Sequence, residues 1–149
     1  MGEIVSGTRD VTVMDMEASI EHMSRGTVRH VEALLVVLEP YYRSMETAGR
    51  IVPLARGLGI ERIFGIANKI SSPQDEEAVT NYCRNHDLKL IAKIPFDESV
   101  LEADRAGRSI IDYDLTSPVV QELSRLADFL EREIGSAGNG RGDHNKNAQ

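Results

Sequence analysis

Four short apolar runs punctuate the chain, each closed by polar or turn-forming residues. They are Val11–Met14, Ala33–Leu38, Arg62–Ala67 and Lys89–Ile94. Each is rich in Val, Ile or Leu. The first two are apolar but for Thr12, which predicts parallel strands buried on both faces. The fourth alternates Lys with apolar residues and predicts an edge or half-exposed strand.

Between the runs the period lengthens to that of helices. Met45, Ala48, Ile51, Val52 and Ala55 recur at helical spacing and predict a helix over Tyr42–Leu58, with Pro53 inside it and Gly57 and Gly59 as stop signals. Ser72-Pro73-Gln74-Asp75-Glu76 combines a capping hydroxyl, a first-turn proline and acidic first-turn residues. That predicts a helix running to about Asn85. Thr116-Ser117-Pro118 opens a last helix in the same way, with Val119, Val120, Leu123, Leu126, Ala127, Leu130 and Ile134 as its buried stripe. From Gly135 onward the composition turns to Gly, Asn, Ser and charge, which predicts one domain over residues 1–134 and a disordered tail over 135–149.

Strands alternating with helices, and no hairpin signal, predict an α/β fold: a mostly parallel sheet flanked by helices. Right-handed crossovers then gather the functional residues at the carboxyl ends of the strands. Those ends are Asp15–Ser19, Glu39-Pro40, Asn68-Lys69 and Pro95-Phe96-Asp97.

Composition narrows the function classes. The formal net charge of −7 argues against non-specific nucleic-acid binding. The single cysteine, Cys83, allows neither an internal disulfide nor a Cys-pair metal site within one chain, and suits a reducing cytoplasm. Cys83 falls in a helical segment near Val79 and Tyr82 and reads as a structural thiol. No apolar run approaches the roughly 20 residues that span a bilayer, so no membrane association is expected.

The strand ends carry the candidate chemistry. Asp15 closes an apolar run, as a carboxylate does that holds a Mg²⁺-bound water between two phosphates; a turn or helix cap is the competing use. Glu17, Glu21, His22 and Arg25 follow in a segment of low apolar content, which suits either a loop that answers to a γ-phosphate or an ordinary solvated loop. The Asn68 amide offers a donor and an acceptor to a purine edge, and the Lys69 stem can lie along the ring. Pro95, Phe96 and Asp97 border the same place. A strand-terminating turn explains these residues equally well.

Together these segments resemble the C-terminal part of the SIMIBI class of P-loop ATPases, the group of MinD, ParA and the nitrogenase iron protein. Within it the resemblance runs to the CooC type, the nickel-insertion accessory ATPase of carbon monoxide dehydrogenase. Asp15–Gly26, with its Glu21-His22 and Arg25-Gly26, resembles that family's switch-II segment. Ala33–Glu39, then Pro40 and Arg43–Ala48, resembles its next strand and helix. Asn68-Lys69 resembles its base-recognising Asn, and Ile94–Asp97 with Val100, Ala103, Asp104 and Gly107 resembles its final loop and helix.

The resemblance covers roughly Val11 to Leu130 and implies specific roles. Asp15 is the Mg²⁺-side carboxylate, and Asp15 and Glu17 stand in the catalytic segment. Asn68 and Lys69 contact adenine with Pro95, Phe96 and Asp97 beside them, and Ser19 stands where the family usually has Gly near the γ-phosphate. ATP or ADP with Mg²⁺ is the implied cofactor, a homodimer the implied assembly, and carbon monoxide dehydrogenase or a related metalloenzyme the implied partner. The sequence contains no Gly-x-x-x-x-Gly-Lys-Ser or -Thr phosphate loop and no Cys-x-Cys pair, the family's nickel or zinc ligands. It therefore reads as the second half of such an ATPase, inactive by itself. Two alternatives stand beside this: a non-catalytic partner-binding or regulatory module derived from such an ATPase, and an unrelated small α/β domain of the receiver kind.

Overall fold

The computed structural model describes residues 12–16 and 31–137, with side chains to residue 133. Strands and helices alternate along it: β1 (Leu34–Leu38), α1 (Tyr42–Gly57), β2 (Ile63–Ile70), α2 (Pro73–Asn85), β3 (Lys89–Pro95), α3 (Glu98–Arg105), α4 (Ile110–Tyr113) and α5 (Pro118–Ala137). The strands form a parallel sheet in the order β1-β2-β3. Leu34 pairs with Ile63 and Leu38 with Ala67, so β1 and β2 run in plain register.

Pleating divides the sheet into two faces. Val36, Leu38, Ile63 and Ala67 face α1 and α2, where they meet Ala48, Val52, Ala55, Val79 and Cys83 in the larger core. Ile66 and Ala92 face α5 and pack on Leu126, with Leu35, Ile91, Ile94 and Leu130 around them. Phe64 meets Phe129 of α5 edge-on at 5.6 Å, an arrangement aromatic rings favour. Between Gly65 and Ile66 the β2–β3 register slips by one residue. Gly65 pairs with Leu90 but Ile66 with Ala92, which lets Leu90 face one core and Ala92 the other.

The helices begin where the sequence provides caps. Ser72 accepts the Asp75 amide at the start of α2, with Pro73 at its first position. Asp97 caps α3 and Ser109 caps α4. Arg56, in the last turn of α1, reaches the Asp87 carbonyl at 2.7 Å and its carboxylate at 3.0 Å, joining α1 to the turn before β3.

Four expectations are corrected. Thr12–Met16 is irregular, and Val13 and Met14 are 80% and 65% exposed, so these residues are not a buried strand; Val11 lies outside the described residues. An apolar run is buried only when a neighbour covers it, and none of the described residues does. β1 is not buried on both faces: α5 lies chiefly over β3, and Val37 is left 56% exposed. The third strand does not stop at Ala67 but continues through Asn68 and Lys69 to Ile70. The last helix runs through Gly135 to Ala137, beyond the expected boundary of the tail, whose remaining residues lie outside the described ones. β3 is an edge strand among the described residues, as its sequence pattern predicts. No helix among the described residues is long and apolar enough to cross a membrane.

Candidate functional site at the carboxyl ends of the strands

The sheet brings Glu39, Asn68-Lys69 and Pro95-Phe96-Asp97 to one edge. β2 reaches that edge through an unusual step: Lys69 has φ of +57°, the left-handed region that costs a side-chain-bearing residue about 1 kcal/mol. The step accompanies an irregularity between Ala67 and Ile70, after which Ile70 pairs with Pro95. Simple alternation would have set Ile70 on the face of Ile66. The extra turn sets it against the larger core instead. The Phe96 amide then donates to the Ile70 carbonyl at 2.9 Å, so β2 and β3 stay joined beyond the regular ladder.

Charge is fixed at the same edge. Lys69 Nζ lies 2.6 Å from Glu39 Oε1, and this carboxylate raises the Lys69 pKa. The Glu39 amide donates to Ser44 Oγ at 2.9 Å, which ties the end of β1 to the first turn of α1. Asn68 is half-buried, and no hydrogen-bond partner for its side-chain amide is found among the described residues. Phe96 is 46% exposed. The strand ends thus carry a half-buried amide, an exposed ring and an aliphatic Lys stem, which are groups that can hydrogen-bond and cover a flat heterocycle.

Asp97 is committed otherwise. Its Oδ1 accepts the Ser99 amide at 2.9 Å and its Oδ2 accepts the Ser117 hydroxyl at 2.7 Å. These bonds, that from Ser117 foremost, hold the carboxyl below the usual carboxylate range. The structure thus gives Asp97 the task of fixing the loop after β3 to the start of α5, and leaves Phe96 exposed and Asn68 half-buried.

The remaining sequence candidates are not brought together here. Asp15 is exposed and in irregular chain, not at a strand tip. Glu17, Ser19, Glu21, His22 and Arg25 lie outside the described residues. No group of three or more His, Cys, Asp or Glu within reach of one metal ion occurs among the described residues. The described residues therefore do not assemble a phosphate or Mg²⁺ site. Cys83 is buried, as expected of a structural thiol, and burial pushes its pKa up.

Two residues that sequence reasoning left without a role matter here. Glu39 was legible only as a polar strand end and Ser117 only as a helix-opening residue. Each acts on a partner across the fold, Lys69 or Asp97, and no local pattern signals such a partner.

No family model matches the sequence. The chain is 42% identical over 131 residues to the carbon monoxide dehydrogenase accessory protein CooC of Rhodospirillum rubrum, covering 87% of this chain and 48% of that protein. It is 32% identical over 122 residues to an uncharacterised ATP-binding protein of Methanocaldococcus jannaschii, covering 81% of this chain and 46% of the other. Among solved structures it superposes on a ParA-family ATPase from Chlorobium tepidum with a TM-score of 0.63 at 22% identity, over 74% of this chain and 47% of that one. The chain spans about half the length of the curated relatives it matches.

Proposed function

We propose, from a chain of the CooC-type, MinD/ParA-like ATPase kind with the fold of that class, that it forms the adenine side of an ATPase serving metal insertion into carbon monoxide dehydrogenase or a related metalloenzyme. The observation that carries this reading is the placement of Asn68-Lys69 and Phe96 at the carboxyl ends of adjacent parallel strands, with the Asn68 amide lacking a partner among the described residues. Asn68 reads the base, the Lys69 stem and Phe96 flank it, and Asp97 holds the loop that presents Phe96. ATP or ADP with Mg²⁺ is the ligand of the whole ATPase, which works as a homodimer. Asp15, Glu17 and Ser19 belong to its phosphate side, where a bound Mg²⁺ supplies charge neutralisation between phosphates. Nickel or zinc is cargo for ligands that this sequence does not contain.

The test is hydrolysis by the purified 149-residue chain, alone and mixed with a polypeptide carrying the phosphate-loop half of a CooC-type relative. The chain alone should show no ATP turnover, and the mixture should show turnover that Asp15→Asn abolishes. Turnover by the chain alone that Asp15→Asn removes would contradict the reading of an incomplete site, and an inert, non-associating mixture would contradict the reading of a complementary half.

The outward apolar side chains Leu101, Ile111 and Leu115 around α3 and α4 favour a second reading, a non-catalytic partner-binding module. On that reading the chain is monodisperse by itself, and mixing with the phosphate-loop half produces no hydrolysis.

A further inference from the structure

The two edges of the sheet differ in kind. β3, at one edge, carries Lys89 and Lys93, both exposed. Charges on an edge strand deter pairing with another chain. β1, at the other edge, reads Leu-Leu-Val-Val-Leu and holds no charge. Among the described residues no strand pairs with its outer side.

The geometry of the ladder says which groups that side presents. The Leu34 amide donates to the Arg62 carbonyl at 2.8 Å, and β1 runs in plain register with β2. In a parallel ladder, alternate residues bond to the same neighbour. Leu34, Val36 and Leu38 therefore turn their backbone groups to β2, and Leu35 and Val37 turn theirs outward. The side chains of the same two residues share the face that α5 covers chiefly over β3. Val37 is 56% exposed there, and Leu35 is half-buried. Outward hydrogen-bonding groups and bare apolar side chains thus coincide.

We infer that the chain pairs with a second copy of itself, β1 against β1, antiparallel about a twofold axis at Val36. Three conditions are met together. The axis sets Leu35 opposite Val37 of the second copy, so residues with outward backbone groups face each other, as an antiparallel hydrogen-bonded pair requires. Opposed side chains lie on one face, so Leu35, Val37 and their two counterparts join the bare surface into one apolar strip. Glu39 falls opposite Ala33 of the second copy, so no carboxylate meets a carboxylate there. Association stops at two, because the twofold pairing uses up both bare edges and leaves the lysine-bearing β3 outermost. The contact uses the side of the sheet and leaves the carboxyl edge open. It is small, and a net charge of −7 on each copy opposes it, so the dimer is weak, with a Kd of roughly 10–100 μM that tightens with salt.

The test is sedimentation velocity of the 149-residue chain over a concentration range bracketing that Kd, with hydrogen exchange followed by NMR over the same range. The mean mass should climb from one chain toward two. The Leu35 and Val37 amides should gain protection as it climbs, while the Val36 amide, bonded to β2, is protected throughout. Val37→Lys guards this edge as β3 is guarded. It should weaken association about tenfold or more and leave the urea midpoint of the dilute chain unchanged. Should it lower that midpoint, the exchange of Leu35 and Val37 against concentration decides alone. A single-chain mass at every concentration overturns the inference. Association that Val37→Lys leaves intact, or in which Leu35 and Val37 exchange freely, overturns it too, since the copies would then meet elsewhere. Protection of both amides at every dilution would mean that this same chain covers the edge. Protection only on adding a phosphate-loop half would make that half the occupant. Either result overturns the pairing of two copies.

Discussion

The Ser117 hydroxyl donates a 2.7 Å hydrogen bond to Asp97 Oδ2, joining two helix starts twenty residues apart. Asp97 caps α3 through the Ser99 amide, and Ser117 accepts the Val119 amide at the start of α5. Ser117 is 1% exposed and is the buried polar side chain of the described core. One hydroxyl and one carboxylate thus fix the loop after β3, and with it Phe96, to the helix that covers the second face of the sheet.

Ser117→Ala removes the buried donor and the acceptor of the Val119 amide together. It should destabilise the chain by about 1–3 kcal/mol, the range for stranding buried polar groups beside a charged partner. Urea denaturation measures it. In a double-mutant cycle with Asp97→Asn, the two losses should be less than additive, and strict additivity would mean that the bond contributes nothing.

The same bond gives an acid limb to stability. Asp97 has a folded-state pKa below its unfolded value, caused first by Ser117 and then by Ser99. Its contribution is therefore fully present above the unfolded carboxylate value of about 3.9 and is lost as pH falls through the lower folded value. Asp75, lowered by Ser71, acts in the same window and sense. Ser117→Ala should flatten the decline in urea midpoint between about pH 4 and pH 2, while leaving the Asp75 share in place. An unaltered slope would show that Asp97 does not gain its acidity from Ser117.

Gly49 faces a closed wall. A Cβ built there would lie 2.3 Å from the Tyr82 hydroxyl oxygen and 3.2 Å from the His86 ring. Tyr82 is stacked on His86 at 3.9 Å, with His86 Nδ1 against the Tyr82 carbonyl at 2.9 Å, so the ring has little freedom to move. Gly49→Ala should cost about 1–3 kcal/mol, despite the better helix propensity of Ala. Adding Tyr82→Phe removes the clashing oxygen and should restore most of the loss. Thermal unfolding of the two variants decides between a clash with Tyr82 and a fault elsewhere.

Cys83 is 1% exposed and its thiol is raised by burial alone. In the native chain it should react with a thiol reagent orders of magnitude more slowly than in urea, with no acceleration until pH exceeds the ordinary thiol range of about 8.5. Rapid labelling of the folded chain at neutral pH would place Cys83 at the surface and contradict the packing of α2 on Gly65 and Leu88.

The α/β class, the three described strands and the caps of α2 and α5 were legible in the sequence because each is a local signal. Ser72 with Pro73 marks a helix start wherever it occurs, and runs such as Leu34–Leu38 mark a strand. Thr12–Met14 carries the same kind of signal and forms no strand, since pairing is a property of two segments and not of one. Val37 was expected to be buried, yet its exposure depends on where α5 crosses the sheet. The extension of β2 to Ile70 depends on Lys69 adopting a backbone angle that its type does not announce. The strand-end candidates Asn68 and Phe96 were placed together as the alternation of strands and helices implied. The opposing role of Asp97 was hidden because its partner, Ser117, is distant in sequence.

Both ends of α5 are tied to the sheet. Ser117, at its beginning, meets Asp97 beyond the carboxyl end of β3, while Arg62, just before β2, donates to the Glu133 carbonyl at 3.1 Å. A helix of 20 residues is about 30 Å long. It therefore runs from beyond the carboxyl end of β3 to the start of β2 and is fastened at both rims. Proteolytic cleavage after Glu133 should loosen that far fastening first, and the loop at Asp97 only later.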